Sequence, residues 1–123
     1  MLKFKLPDTA TFVGSRQHGK VVVEVKFTNG SSRPLKHVVH HSPTGFGVGY
    51  GGSGPADLAL SILSAVISEK KSVPLLEGRC GRMAWDLHQD FKRDFVAWFS
   101  ENWSLSVETV REWVESKNDG RSD

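Results

Sequence analysis

The stretch of sequence that decides the fold is His41-Ser42-Pro43-Thr44-Gly45-Phe46-Gly47-Val48-Gly49-Tyr50-Gly51-Gly52-Ser53-Gly54-Pro55-Ala56-Asp57-Leu58-Ala59-Leu60. Six of the 12 glycines of the chain fall between Gly45 and Gly54. Glycine loses more conformational freedom on folding than any other residue, so this concentration indicates unusual backbone turns or a close approach by another group. The stretch therefore predicts a glycine-rich loop that leads into a helix.

The end of the stretch predicts the core helix, over residues 55–69. Pro55 suits the first helical position, because proline presets φ and that position needs no amide donor. Ser53 or Gly54 is then the N-cap, and Asp57 lies in the first turn, where a negative charge meets the positive helix end. The residues after Asp57 are apolar apart from a few serines, which is typical of a helix buried on most sides.

The residues before the loop predict an antiparallel hairpin over 20–41. Residues 20–28 alternate between valines or Phe27 on one face and mostly polar side chains on the other, as in a half-buried strand. Asn29-Gly30-Ser31-Ser32 is a strong turn signal, and residues 33–41 return as the partner strand. Pro34 indicates an edge position or the entry of the strand, because proline cannot donate to a ladder. Residues 46–50 predict either a third strand or an irregular loop.

The residues after the core helix predict two more helices, over 85–101 and 106–116. Leu87, Phe91, Phe95 and Trp98 share one face at helical spacing, and Ser106 is a suitable N-cap. Strands and helices are segregated along the chain, so the fold class is α+β, with a small antiparallel sheet packed against about three helices. We expect a single domain over 1–116 and a frayed tail over 117–123.

Composition narrows the functional classes. The formal net charge of +2 is too small to indicate a nucleic-acid partner by itself. Cys80 is the only cysteine, so an internal disulfide is impossible, and we expect an inert thiol in a reducing compartment. No signal peptide or membrane span is predicted, and the expected location is the cytoplasm.

The glycine-rich loop is the main candidate site. Residues 49–54 match G-x-G-x-x-G before a helix, and loop amides at a helix start can bind a phosphate, a nucleotide or a carboxylate. The chain is too short for a full dinucleotide fold, and no Lys-Ser or Lys-Thr follows the glycines, which argues against a Walker loop. The candidate ligand-binding residues are Ser42, Thr44, Tyr50, Gly51, Gly52, Ser53 and Gly54, with His41 and Asp57 as support. A purely structural loop stays open.

Two other groups of residues have chemical potential. His37, His40 and His41 lack a nearby cysteine or carboxylate in the sequence, so we expect neither a metal nor a cofactor. Basic residues occur on the hairpin and after the core helix, and they form either a solvated face or a basic rim that meets phosphate. These basic residues are Arg33, Lys36, Lys70, Lys71, Arg79 and Arg82.

The sequence also resembles a small family of uncharacterised proteins. Residues 42–46 and 49–60 match its signature, S-P-T-G-F-x-W-G-Y-G-G-S-G-P-A-x-L-A-L. Further similarities are Phe91-Lys92 and a closing segment, 103–113, that contains two tryptophans. Val48 departs from the pattern, which often has Trp there. The resemblance implies a bacteriophage, plasmid or bacterial setting and no established activity.

Three functions compete at this point. The first is a non-enzymatic accessory binding protein of a phage or mobile element, which contacts an anionic ligand such as a nucleotide, or an acidic group of a host protein, and which inhibits a host defence such as CRISPR. The second is a protein–protein interaction module, or a homodimer, with a structural loop. The third and weakest is a small hydrolase or transferase that uses His41 with Ser42 or Asp57. Nucleic acid stays open as a partner.

Overall fold

The computed structural model describes residues 2–119 of the chain as short strands and three helices. The strands are β1 (Lys3–Phe4), β2 (Thr11–Gln17), β3 (Lys20–Lys26), β4 (Ser32–Pro34), β5 (Ile67–Ser68), β6 (Ser72–Pro74), β7 (Arg79–Gly81) and β8 (Trp103–Ser106). The helices are α1 (Ser53–Val66), α2 (Arg82–Asp94) and α3 (Val107–Asp119), and a 3-10 turn at Val96–Trp98 follows α2. The predicted α+β class is confirmed.

The main sheet is antiparallel, with the strand order β4-β3-β2-β8, and two small ribbons pair β1 with β5 and β6 with β7. The predicted turn at Asn29–Ser32 and the edge position of Pro34 are confirmed. The predicted partner of β3 is only partly right. The long partner of β3 is β2, joined through His18-Gly19, both at positive φ as a tight hairpin requires. The strand predicted over 33–41 shrinks to β4, because the following residues leave the sheet and bond to α1.

Helix α1 is the centre of the core, as predicted, but its bounds differ. It begins at Ser53 with Gly52 as the N-cap, so Pro55 is its third residue and Asp57 lies beyond the first turn. It ends at Val66 rather than residue 69, because Ile67 turns extended and pairs with Phe4 of β1. Leu58, Leu60, Ile62, Leu63 and Val66 of α1 are buried together with Phe12 and Val25 of the sheet and Phe91 of α2.

Helix α2 begins at Arg82 and has 13 residues, so it starts earlier and is shorter than the predicted 85–101. It ends at Asp94, where carbonyl groups begin to bond outside the α-helix. The Arg93 carbonyl accepts a hydrogen bond from the Trp98 indole, and the Val96 carbonyl accepts one from the Gly49 amide. Trp98 was predicted on a buried stripe, yet it is 81% exposed. No strand forms at residues 46–50, which are an irregular loop.

Helix α3 begins as predicted, since the Ser106 hydroxyl accepts a hydrogen bond from the Thr109 amide. It continues to Asp119, so residues 117–119 of the predicted tail are helical, and residues 120–123 lie outside the described residues. Among the helices within residues 2–119, none is long and apolar enough to cross a membrane.

Candidate functional site

Asp57 is a buried carboxylate that organises the loop before α1. Its side chain has no exposed surface, and it accepts hydrogen bonds from three consecutive backbone amides, at His40, His41 and Ser42. The shortest of these joins the His41 amide to Asp57 Oδ1 at 2.7 Å, and His37 Nε2 donates to Oδ2 at 2.9 Å. Consecutive amides that converge in this way form an anion-binding nest, and here the nest is filled by the chain itself.

The hydrogen bonds keep Asp57 ionised. Burial raises the pKa of a carboxyl group, but the bonds from the His41 amide, the His37 side chain and the Ser42 and His40 amides outweigh it and lower the pKa of Asp57 overall. Asp57 therefore carries a buried negative charge that is satisfied by fixed donors.

Helix α1 fastens the incoming segment at a second point, one turn further along. Ser61 Oγ accepts a 2.8 Å hydrogen bond from the Val38 amide. Because Asp57 and Ser61 are four residues apart on a helix, they lie on the same face. Residues 38–42 therefore run antiparallel along α1, which explains why they leave the sheet after β4.

A cluster of aromatic rings covers this junction. His41 Nε2 lies 3.0 Å from His88 Nε2, and His88 Nδ1 lies 2.6 Å from the Trp85 carbonyl oxygen. A carbonyl only accepts, so neutral His88 carries its proton on Nδ1, and His41 donates through Nε2. The ring of His40 meets those of His41 and Trp85 edge to face.

His41 and His88 favour their neutral forms. Burial, followed by the neighbouring His40, lowers the pKa of His41. Burial also lowers the pKa of His88, with His41 and His40 acting in the same direction against the hydrogen bond to the Trp85 carbonyl. Among residues 2–119, no three His, Cys, Asp or Glu side chains gather in an arrangement that would hold a metal ion. The observed bonds give these histidines a packing role.

The pairing that a hydrolase would need is absent from the described residues. The His41 side chain contacts His88. The Asp57 carboxylate bonds to the backbone amides of His41 and Ser42 and not to their side chains. A nucleophile must lie within hydrogen-bond reach of its base. No side-chain hydrogen bond joins His41 to Ser42 or Asp57 within residues 2–119, and the hydrolase alternative stays a prediction.

Close packing or backbone conformation explains several glycines of the loop. A Cβ on Gly54 would lie 2.8 Å from the Gly47 nitrogen, so the start of α1 packs directly against the loop backbone. Gly45 and Gly49 have φ of 134° and 80°, where other residues are strained. Gly52 lies against the Tyr50 ring. These contacts agree with the structural interpretation of the loop.

The residues predicted to bind a ligand are divided between surface and interior. Tyr50 is 55% exposed, and the Gly51 carbonyl accepts a hydrogen bond from Lys92 at 3.3 Å. Thr44, Gly51 and Ser53 are exposed and Gly52 is half-buried, whereas Ser42 and Gly54 are buried. A ligand at this loop stays a prediction.

A groove lies further along α1, beyond Ser61. It has a volume of about 540 Å³ and runs between β4 with the residues after it, the C-terminal half of α1, and the β6–β7 ribbon. We call it the basic groove, because four cationic side chains from three separate segments line it: Lys5, Arg33, Lys36 and Arg79. Its apolar lining comes from Val25, Leu35, Val38, Ala65 and Ile67.

The four cations of the basic groove have no carboxylate partner within the described chain. Arg79 is held in place by Ser72, through its Nε to the hydroxyl at 2.9 Å and an Nη to the carbonyl. Arg33 lies over the ring of Phe27 at 5.3 Å. Glu69 is the one acid in the lining, and it accepts the Met83 and Ala84 amides at the start of α2.

Two further groups of the basic groove bear on its chemistry. The Ser64 hydroxyl oxygen is buried and has no hydrogen-bond partner among residues 2–119. Burial, together with Glu69, raises the pKa of Cys80 to about 11, so this thiol stays protonated and unreactive. The groove therefore offers cations beside an unreactive thiol, and the Ser64 oxygen is shielded from solvent.

The sequence indicated only part of this groove. Arg33, Lys36 and Arg79 were noted as members of a basic rim, whereas Lys5 and Ser64 were missed. Lys5 directly follows β1, a short strand whose pairing with β5 has no local signal. Ser64 looks like any small helical serine, and a Ser61-x-x-Ser64 pair on the face that carries Asp57 is the signal that was available.

The fold and the site define the class of protein, which is a small α+β domain. Its central helix α1 holds one loop through hydrogen bonds and lines the basic groove. A family model described as "Family of unknown function (DUF6166)" matches residues 12–116. The chain belongs to this family, and the signature stretch at 42–60 lies within the match. No curated protein and no solved structure matches the chain.

Proposed function

We propose that this protein is a non-enzymatic binding protein that takes an anionic ligand of nucleotide size in the basic groove. The observation that carries the proposal is the convergence of Lys5, Arg33, Lys36 and Arg79 without a carboxylate partner around one apolar-lined groove. Unpaired cations repel each other, so a groove that collects them favours an anionic occupant. A volume of about 540 Å³ is within the usual range for a small-molecule site.

The basic groove has cations that suit the phosphate of a nucleotide and apolar side chains that suit its base. Guanidinium and ammonium groups bind phosphate through charge-assisted hydrogen bonds. The apolar lining suits an uncharged ring. A glycine-rich loop that contacts the same kind of ligand is the competing location for the site.

The test is a thermal-shift series with nucleoside mono-, di- and triphosphates, cyclic nucleotides and pyrophosphate. A ligand at about 100 times its Kd should stabilise the fold by about 2.7 kcal/mol. The variant Lys5→Gln/Lys36→Gln should weaken binding about tenfold or more, which corresponds to about 1.4 kcal/mol. The matched control is Lys20→Gln/Lys26→Gln, which removes the same charge from exposed positions outside the groove.

Either of two results would contradict the proposal. The first is that none of these anions raises the Tm. The second is that the groove variant binds as tightly as the Lys20→Gln/Lys26→Gln control.

The biological setting is a further part of the proposal. A cytoplasmic accessory protein of a phage or mobile element would use such a site to sequester a nucleotide, or an acidic group of a host defence protein. The support for that setting is the resemblance of residues 42–60 to the family signature. Genes of a defence system beside the gene for this protein would support it, and genes of unrelated metabolism would count against it.

A protein–protein contact is a second candidate function, and Trp98 is the observation that favours it. Its ring is 81% exposed, and its indole N–H is held by the Arg93 carbonyl at 2.8 Å. Tryptophan is enriched among residues that dominate interface energies. Light scattering of wild-type protein and Trp98→Ala tests the homodimer form: a dimer that Trp98→Ala dissociates would support it, and a strict monomer at high concentration would remove it.

A further inference from the structure

A second groove adjoins the basic groove, and residues of β1 and β5 contribute to its lining. It has a volume of about 710 Å³ and is also lined by four cations: Lys3, Lys70, Lys71 and Arg82. The two grooves share Ile67 and Glu69 in their linings. Because the two grooves share these lining residues, they adjoin each other, and we call the two grooves with their eight cations the basic face.

We infer that the basic face binds the phosphate backbone of nucleic acid. This inference rests on the proposed function, because it takes the basic groove as one phosphate position and extends it into a row. Two adjoining grooves, each lined by four cations, offer more positive charge than one small anion neutralises, which suits a polyanion. Neutralised phosphates release counterions, and this release drives sequence-independent binding.

Charge segregation supports the inference. The basic face holds eight of the 16 Lys and Arg residues of the chain, although the formal net charge is only +2. Glu69 is the only carboxylate in either lining as described, and its oxygens are occupied by the Met83 and Ala84 amides. Asp86 lies outside both linings but pairs with Arg82 at 3.2 Å, whereas the other seven cations have no carboxylate partner among residues 2–119. Seven unpaired cations give a positive local field in a nearly neutral chain.

The lining chemistry indicates how a nucleic acid would be contacted. Within the described residues, neither groove is lined by a Phe, Tyr or Trp side chain, so the face offers no platform for stacked bases. We therefore expect backbone contacts with little sequence preference. An acidic peptide added as a strand is disfavoured, because β4 is an edge strand and Pro34 in it lacks an amide donor.

The experiment is fluorescence anisotropy of the full chain with a labelled DNA duplex of about 20 base pairs over a range of salt concentrations. Duplex binding should weaken steeply with salt, and Lys70→Gln/Lys71→Gln should make the slope of log K against log[salt] shallower by about 2. The control Lys20→Gln/Lys26→Gln should leave the slope unchanged. A single strand of equal length and poly-glutamate of equal charge are the competing partners.

The outcomes separate this inference from the proposed function. If nucleotides shift the Tm through the basic groove but the duplex does not bind, the inference is overturned and the proposed function stands. A duplex bound equally well by Lys70→Gln/Lys71→Gln overturns it as well. The same holds if poly-glutamate binds as tightly as the duplex, or if the single strand binds about tenfold more tightly. If neither nucleotides nor duplex bind, both ideas fail together.

Discussion

Asp57 is the residue on which the site depends most. One carboxylate satisfies the amides of His40, His41 and Ser42 and the His37 side chain, and all of these groups would otherwise need separate partners. The same segment carries Lys36 and Val38 toward the basic groove. A buried charge is stable only when its hydrogen bonds are complete, so this position tolerates little change.

Replacing Asp57 by Asn should therefore destabilise the protein strongly. Asn has one acceptor oxygen and presents an NH₂ group to amides that also donate, so at least one buried donor is left unpaired. We expect a loss of about 3 kcal/mol or more in the free energy of unfolding, measured by urea denaturation. Asp90→Asn is the control: its carboxylate forms a surface ion pair with Arg93, and its loss should change stability by less than about 1 kcal/mol. Equal effects of the two variants would contradict the role of Asp57.

At the scale of elements, the contact between the glycine-rich loop and the start of α1 is made by backbone atoms. Gly54 leaves no space for a Cβ beside Gly47, whereas Gly51 has nothing within 4 Å of such an atom. These two glycines were equivalent in the sequence. In the structure, Gly54 is required for close packing, whereas Gly51 has room for a side chain.

The paired substitutions Gly54→Ala and Gly51→Ala test this distinction. Gly54→Ala overpacks the junction against backbone atoms, at a cost near the upper end of about 1–3 kcal/mol, and because alanine returns about 1 kcal/mol in helix propensity we expect a net loss of about 2 kcal/mol. Gly51→Ala should change the free energy of unfolding by less than about 0.5 kcal/mol. Chemical denaturation of both variants measures the difference. A Gly54→Ala protein as stable as the Gly51→Ala protein would show that the loop and helix do not pack closely.

The elements also show which features the sequence determines. The turn at Asn29–Ser32 and the apolar helix α1 have local causes, in turn chemistry and continuous hydrophobicity, and both were predictable. The pairing of β3 with β2, and the departure of residues 38–42 from the sheet, depend on contacts between distant residues. Asp57 was interpreted as a partner for the helix end, because its actual partners become neighbours only in the folded chain.

At the scale of the whole molecule, stability should depend on pH through the histidine cluster. The pKa values of His41 and His88 are lowered from the ordinary value of 6.5, so the unfolded chain binds more protons than the native state below that pH. The contribution of these two histidines to the free energy of unfolding is fully present above about pH 6.5. This contribution is lost as the pH falls below that value. Asp57, whose pKa is also lowered, adds a second loss below its ordinary value of 3.8.

Urea denaturation at about pH 5, 6 and 7 measures this dependence. We expect the free energy of unfolding to rise with pH across the range, and His88→Gln to flatten the rise. A profile that is level, or that falls toward pH 7, would contradict neutral burial of these rings.

The basic groove is the central claim, and its competitor is the glycine-rich loop at the start of the same helix. Amide chemical-shift mapping by NMR, during titration of the wild-type chain with a nucleoside triphosphate, distinguishes them directly. The account predicts saturable shifts at Lys5, Arg33, Lys36, Ser64 and Arg79, with Gly51–Gly54 unmoved. Saturable shifts confined to residues 42–54, with those groove residues unmoved, would contradict it.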